Sequence, residues 1–131
     1  MQLKTRKTKY CDAVSDLMHR LGHASNAQIL FELQKIYPNL SSTTVHRITA
    51  RLESRGELAF APKTQDGALR YDINTHEHDH FLCNSCDSLH DANVSKRVAD
   101  VFSETIDGCD ISGSLTVSGI CKKCKSGGSN D

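Results

Sequence analysis

The chain has 131 residues, no net charge, 5% aromatic residues and no tryptophan. That length holds one compact domain or two small ones, and small domains commonly need support beyond a hydrophobic core, such as a structural metal. No apolar run is long enough to span a membrane, and "MQLKTRKTKY" lacks the apolar stretch of a signal peptide, which predicts a reduced, cytoplasmic protein with no membrane partner.

The zero total hides an asymmetry. Residues 1–72 carry 11 Lys and Arg against 7 Asp and Glu, a net of +4, whereas residues 73–131 carry 5 against 9, a net of −4. A basic front suits contact with a polyanion.

Residues 10–21 place Tyr10, Val14, Leu17, Met18 and Leu21 at helical spacing, with Gly22 fit to end the helix. Ser25 is an N-cap for a second helix with an apolar face of Ile29, Leu30, Leu33, Ile36 and Tyr37, stopped by Pro38 and Asn39. "SSTTVHRITARLESRG" reads as a third helix, capped by Ser41 or Ser42 and closed by Gly56, with Val45, Ile48 and Leu52 inside. The period then changes: "ELAFAPK" and "ALRYDI" are short strands joined across "TQDG". Three helices and a hairpin predict a winged helix-turn-helix domain over 1–73, with a hinge at 74–77.

The second half, 78–125, reads as a small α/β domain. Its elements are strands through "HFLC" and "SLHDA", a helix from about Val94 to Ile106, and a strand "SLTVSGI". The helix carries Val94, Val98, Val101 and Phe102 on one face. Residues 126–131 read as a disordered tail. The fold class is α+β.

Two cysteine pairs carry the clearest chemistry. Cys83, Cys86, Cys121 and Cys124 form C-x2-C, 34 intervening residues, then C-x2-C. Four thiolates in two such pairs suit a closed, structural zinc site that staples the second half together; the alternative is a redox dithiol pair. Cys11 reads as core, and Cys109 is left unassigned. The stretch "HEHDHFLCNSC" also holds His76, His78 and His80. On an extended strand these share one face, and imidazoles with carboxylates suit an exchangeable Fe, Mn, Ni or Zn ion. The stretch therefore predicts two metals, one structural and one sensed; the bland alternative is a solvated histidine-rich linker. A metallohydrolase lacks support, since there is no HExxH.

In this order and spacing, "YPNLSSTTVHRI", the hairpin, "HDHFLCNSC" and "GICKKC" resemble the ferric uptake regulator family over nearly the whole chain. The resemblance implies a homodimeric, metal-dependent repressor, with an N-terminal winged helix and a C-terminal α/β dimerisation domain. An enzyme would need a metal site with an open position and a substrate pocket, which the sequence does not display, so neither enzyme activity nor a small-molecule substrate is expected. The resemblance also implies a regulatory metal between the domains, held by His23, Asp72, His78, His80 and Asp91. An aspartate as the last ligand resembles the peroxide-sensing branch, whereas His23, His76, His78 and His80 resemble the nickel-responsive one. Iron or manganese ranks first, nickel second and zinc third.

Three positions depart from the family pattern. "KTKY" stands where a "TPQR"-like stretch is usual, so the leading helix is expected to be short or missing. His46 replaces a tyrosine of the recognition helix. No histidine precedes the last strand's glycine, which argues against a further metal site.

On a pseudo-palindromic operator, the third helix would enter the major groove. Ser42, Thr43, Thr44, His46 and Arg47 would lie on or near its outer face. Lys4, Arg6, Lys7, Lys9 and, from the wing, Lys63 would meet phosphate or the minor groove, unless the first four are an ordinary basic tail. The alternative from another class is a zinc-stapled protein-interaction module.

Overall fold

The structure is a computed structural model that describes residues 6–109 and 113–127, with side chains from residue 9 onward except 102–105. The chain divides into two compact units, Met1–Thr75 and His76–Asp131. No helix of the described residues is long and apolar enough to cross a membrane.

The first unit is a winged helix. Helix α1 (Arg6–Leu21) ends at Gly22, whose φ of +82° suits glycine and whose N–H reaches the Met18 carbonyl at 2.8 Å. Helix α2 (Asn26–Leu33) is capped by Ser25, whose side chain accepts from the Gln28 N–H. Helix α3 (Ser42–Ser54) is capped in the same way by Ser41. Val45, Ile48 and Leu52 point inward with Val14, Leu17, Met18, Ile29 and Leu33, so the periodicity of three helices converges on one core. Thr49 is buried with them, and its hydroxyl donates to Asn26 Oδ1 at 2.7 Å, which ties α3 to α2.

Three details differ from the sequence expectation. Residues 23–25, read as loop and N-cap, form a short strand β1 (His23–Ser25) against β3 (Arg70–Asp72), which also pairs with β2 (Ala59–Ala61) in the order β1-β3-β2. Three residues carry no readable alternation; the pairing with β3 creates the strand. Ile36 was expected on the apolar face of α2 but is 63% exposed. The helix ends at Leu33, and a tight turn that bonds the Ile36 and Tyr37 N–H groups to the Leu33 carbonyl swings Ile36 outward. Tyr37 then packs edge-on to Tyr10, with ring centroids 5.2 Å apart. In the wing, Gly67 (φ +90°) closes the expected turn with Thr64, but β2 and β3 are only three residues each.

The second unit holds strands β4 (Asp79–Cys83), β5 (Leu89–Ala92) and β6 (Thr116–Gly119), with α4 (Ser95–Thr105) between β5 and β6. The sheet order is β5-β4-β6; β4 is antiparallel to β5 and parallel to β6. A final helix α5 (Lys122–Gly127) takes in Ser126 and Gly127, so the tail expected to be disordered from 126 is helical there; residues 128–131 lie outside the described residues. Its first turn is closed by the Lys125 N–H on the Cys121 carbonyl, which builds the helix on a cysteine of the second pair.

Asp79 links these elements from inside. It is 3% exposed, and its two oxygens accept the N–H groups of Val94, Ser95 and Leu115 at 2.7–2.9 Å. The bonds from Ser95, Leu115 and Val94, in that order of weight, hold its carboxyl well below the usual carboxylate range. A depressed pKa contributes stability that is present above the ordinary value of about 4 and is lost only as pH falls toward the lower folded one. Asp79→Asn puts an NH2 group where an acceptor is needed. At pH 7 it is expected to destabilise the second unit, with hydrogen-exchange protection lost at Val94, Ser95 and Leu115. Unchanged protection there would refute this role.

Candidate metal centres and nucleic-acid interface

The second unit gathers the four sulfurs of Cys83, Cys86, Cys121 and Cys124 within 4.8 Å of one another. Tetrahedral zinc with bonds of about 2.3 Å sets its sulfurs about 3.8 Å apart, and Cys86 and Cys121 lie at 3.9 Å. Each C-x2-C pair turns so that backbone N–H groups point at a sulfur. Ser85, Cys86 and Cys121 point at Cys83 Sγ at 3.3–3.4 Å, and Cys124 at Cys121 Sγ at 3.5 Å. Asp87 completes the first turn at φ +62°, a conformation that aspartate tolerates better than most residues.

These amides prepare the sulfurs for a cation. The Cys86 and Cys121 N–H groups bring the Cys83 thiol down to about 6. Cys124 shows the limit: the Ser85 hydroxyl lowers it, but the sulfurs of Cys121, Cys86 and Cys83, with burial, push it up to about 12. Four thiolates this close cannot all ionise without a positive charge among them, which is what a divalent ion supplies. The donor set fits zinc.

Histidines and carboxylates form two further groups, one in each unit. In the first, the pairing of β1 with β3 sets His23 opposite Asp72, with Nε2 and Oδ2 3.3 Å apart and Asp72 2% exposed. Asp72 Oδ1 accepts the Asn74 N–H at 2.9 Å, which fixes the carboxylate. In the second, His80 pairs with Asp91 across β4 and β5. Asp91 Oδ1 lies 3.1 Å from His78 Nε2 and 3.8 Å from His80 Nε2, and the two rings are 4.3 Å apart. Bonds of about 2.0–2.2 Å to one ion put neighbouring donor atoms roughly 3–3.5 Å apart; the His23–Asp72 and His78–Asp91 pairs have that spacing, and His80 lies a little beyond it.

His78 and His76 depart from the expected strand. Strand β4 starts at Asp79, so neither lies on it. His78 Nδ1 donates to the His76 carbonyl at 2.7 Å. That bond leaves Nε2 of the neutral ring with a lone pair facing a carboxylate, an arrangement that calls for a proton or a metal ion between them. The His76 ring is exposed, and its carbonyl accepts the His78 bond.

On the first unit, Ser42, Thr43, His46 and Arg47 are exposed along one side of α3. Thr44 is half-buried; its hydroxyl is 3.0 Å from Ser41 Oγ and its N–H donates to the same oxygen, so it serves the cap. Lys63 is exposed beyond β2, and Lys9 Nζ sits 4.9 Å over the Tyr37 ring. Lys4 and the side chains of Arg6 and Lys7 lie outside the described residues. Cys11 packs against the core, while Cys109 is exposed after α4.

A winged helix, a thiolate cluster and two sets of imidazole and carboxylate donors define a DNA-binding regulator of the metal-responsive class. Residues 2–107 match the Ferric uptake regulator family, and the chain belongs to that family. The "Peroxide-responsive repressor PerR" of Staphylococcus epidermidis is 26% identical over 112 residues, which is 82% of this chain and 72% of that protein. The ferric uptake regulator of Helicobacter pylori, described as having three functional metal-binding sites, superposes with a TM-score of 0.71. It is 25% identical, over 94% of this chain and 83% of that one. The Campylobacter jejuni peroxide stress regulator shares the fold, with a TM-score of 0.66 and 22% identity over 91% of each chain.

Proposed function

We propose that this chain is a cytoplasmic, homodimeric repressor that binds an operator when an Fe(II) or Mn(II) ion is held by His23, Asp72, His78, His80 and Asp91. The observation that carries the reading is the pair of chemically distinct donor sets. One is a closed set of four thiolates that selects zinc and leaves no position open. The other is a set of nitrogens and oxygens that suits a more exchangeable first-row ion. His23 with Asp72 offers two donors and His78, His80 and Asp91 offer three, so neither group alone completes a six-coordinate ion. Asp91 as the last ligand, together with the likeness to the peroxide-responsive repressor, favours Fe(II) or Mn(II) and a response to peroxide over nickel or zinc.

DNA recognition rests on the exposed side of α3. Arg47 is placed to reach guanine or phosphate, and the His46 ring and Thr43 methyl to touch thymine. The test uses DNA selected by the purified protein from a random duplex pool, with affinity measured by fluorescence anisotropy against salt, with and without Mn(II). Arg47→Ala is expected to weaken the selected site by about 1–3 kcal/mol and to spare unselected DNA. Neutralising Lys7, Lys9 and Lys63 is expected to weaken all sequences and to lower the salt slope by about 1 per lost phosphate contact. A protein-interaction module stapled by zinc would select no sequence and show no salt-dependent affinity.

A further inference from the structure

The zinc-type cluster is uneven in how its sulfurs are secured. Cys83 and Cys121 are buried and Cys124 is half-buried, whereas Cys86 is exposed. Cys83 accepts three backbone N–H groups, and a backbone donor cannot rotate away. Cys86 has one backbone donor, the Ser88 N–H, and also meets a side chain: its sulfur is 3.0 Å from Ser88 Oγ, and that oxygen is 2.9 Å from His90 Nε2. His90 stands on β5 across from Phe81 of β4, so the sheet fixes the far end of the chain of contacts.

Chemistry gives this chain a direction. A thiolate has no proton to offer, so once Cys86 holds a metal the Ser88 hydroxyl must donate to the sulfur. The Ser88 oxygen is then an acceptor, and His90 Nε2–H donates to it. Outer partners of this kind orient a ligand and disperse its charge, and their loss typically changes metal affinity 10–100-fold.

We infer that Cys86 is the arm by which the zinc site opens, and that Ser88 and His90 are positioning residues that latch it shut. The inference rests on the reading of the four cysteines as a zinc site and adds to it an order of ligand release. Zinc leaves after Cys86 swings out, because that sulfur alone combines exposure with a rotatable donor among its hydrogen-bond partners. The latch sets how long the second unit keeps its metal.

The experiment uses full-length, zinc-loaded protein as wild type, Ser88→Ala, Ser88→Thr and His90→Phe. Two rates are read in each: zinc transfer to a chromogenic chelator, and alkylation of each cysteine in short iodoacetamide pulses, resolved by mass spectrometry. Within the cluster, Cys86 is expected to react first. Ser88→Ala should speed zinc transfer and Cys86 alkylation together, by ~10-fold. Ser88→Thr keeps a hydroxyl and should restore the wild-type rates, and His90→Phe should give a smaller increase in both. Initial reaction at Cys83, Cys121 or Cys124, or unchanged zinc transfer in Ser88→Ala, overturns the latch. So does a uniform rise in all four thiols, the mark of a merely loosened fold. Wild-type protein that purifies without zinc overturns the zinc reading itself, and that result is seen before any variant is made.

Discussion

Cys121→Ser is expected to abolish zinc binding and to unfold the second unit while leaving the winged helix folded. The reason lies in where apolar burial is found. The twelve residues of the buried core cluster, from Val14 to Tyr71, all belong to the first unit. Among the described residues, the buried apolar side chains of the second unit are Cys83 and Cys121. A three-stranded sheet with so little of its own core needs further support, which a structural metal supplies. Val101, Ile106, Val117 and Ile120 are 37–61% exposed, so they add little to a core of the unit's own. Zinc binding in small domains is worth about 10–16 kcal/mol at neutral pH, more than such a sheet can supply alone.

The test pairs metal analysis with hydrogen exchange resolved by segment. Zinc should be lost, protection should vanish across 79–119, the dimer should dissociate, and protection across α1 to α3 should remain. A variant without zinc that keeps a protected, dimeric second unit would refute the structural assignment. Acid should reproduce the variant. Protons compete with the ion for the four thiolates, so metal binding, and the stability it brings, is lost as pH falls. Asp79 is held well below the ordinary carboxylate range, so its charge and the bonds it accepts persist to lower pH than those of an ordinary carboxylate.

What could be read in the sequence divides along a physical line. Helix α3 was legible because its signals are local: a serine cap, an apolar seam at helical spacing and a closing glycine at φ +77°. The thiolate cluster was legible because C-x2-C spacing encodes its own turn. Strand β1 was not legible, since its three residues become a strand only through β3, some 47 positions away. For the same reason His23 and Asp72 were named only through family resemblance; nothing near either residue signals the pairing. Asp79 was overlooked between two histidines, although strand alternation puts it on the face opposite His80. Helix α5 carries no signal because "KKCKSG" has no apolar face and its first turn depends on the Cys121 carbonyl; its end, Ser126 and Gly127, reads as the start of a tail.

His80→Ala is expected to keep the structural zinc and the dimer but to lose the metal-dependent part of operator binding. His23→Ala, made on the other unit, is expected to do the same. The proposed ion draws ligands from both units, so it favours whichever arrangement lets one ion satisfy both groups, and it acts by shifting a population rather than by building a new surface. A ~100-fold change in operator affinity requires it to favour that arrangement by about 2.7 kcal/mol, a small demand on a site with five donors. Asp91→Ala should lose less, since water can replace one oxygen ligand.

The double variant decides between one shared ion and two independent ones. If one ion is shared, removing either histidine removes the whole response, and His23→Ala with His80→Ala together lose no more than either alone. If each group binds its own ion, the single losses are partial and multiply in the double. Affinity for the selected DNA is measured with and without Mn(II) in all four proteins, with zinc content checked in each. Multiplying losses would refute the shared ion. A metal response in His80→Ala equal to wild type would remove these histidines from sensing altogether.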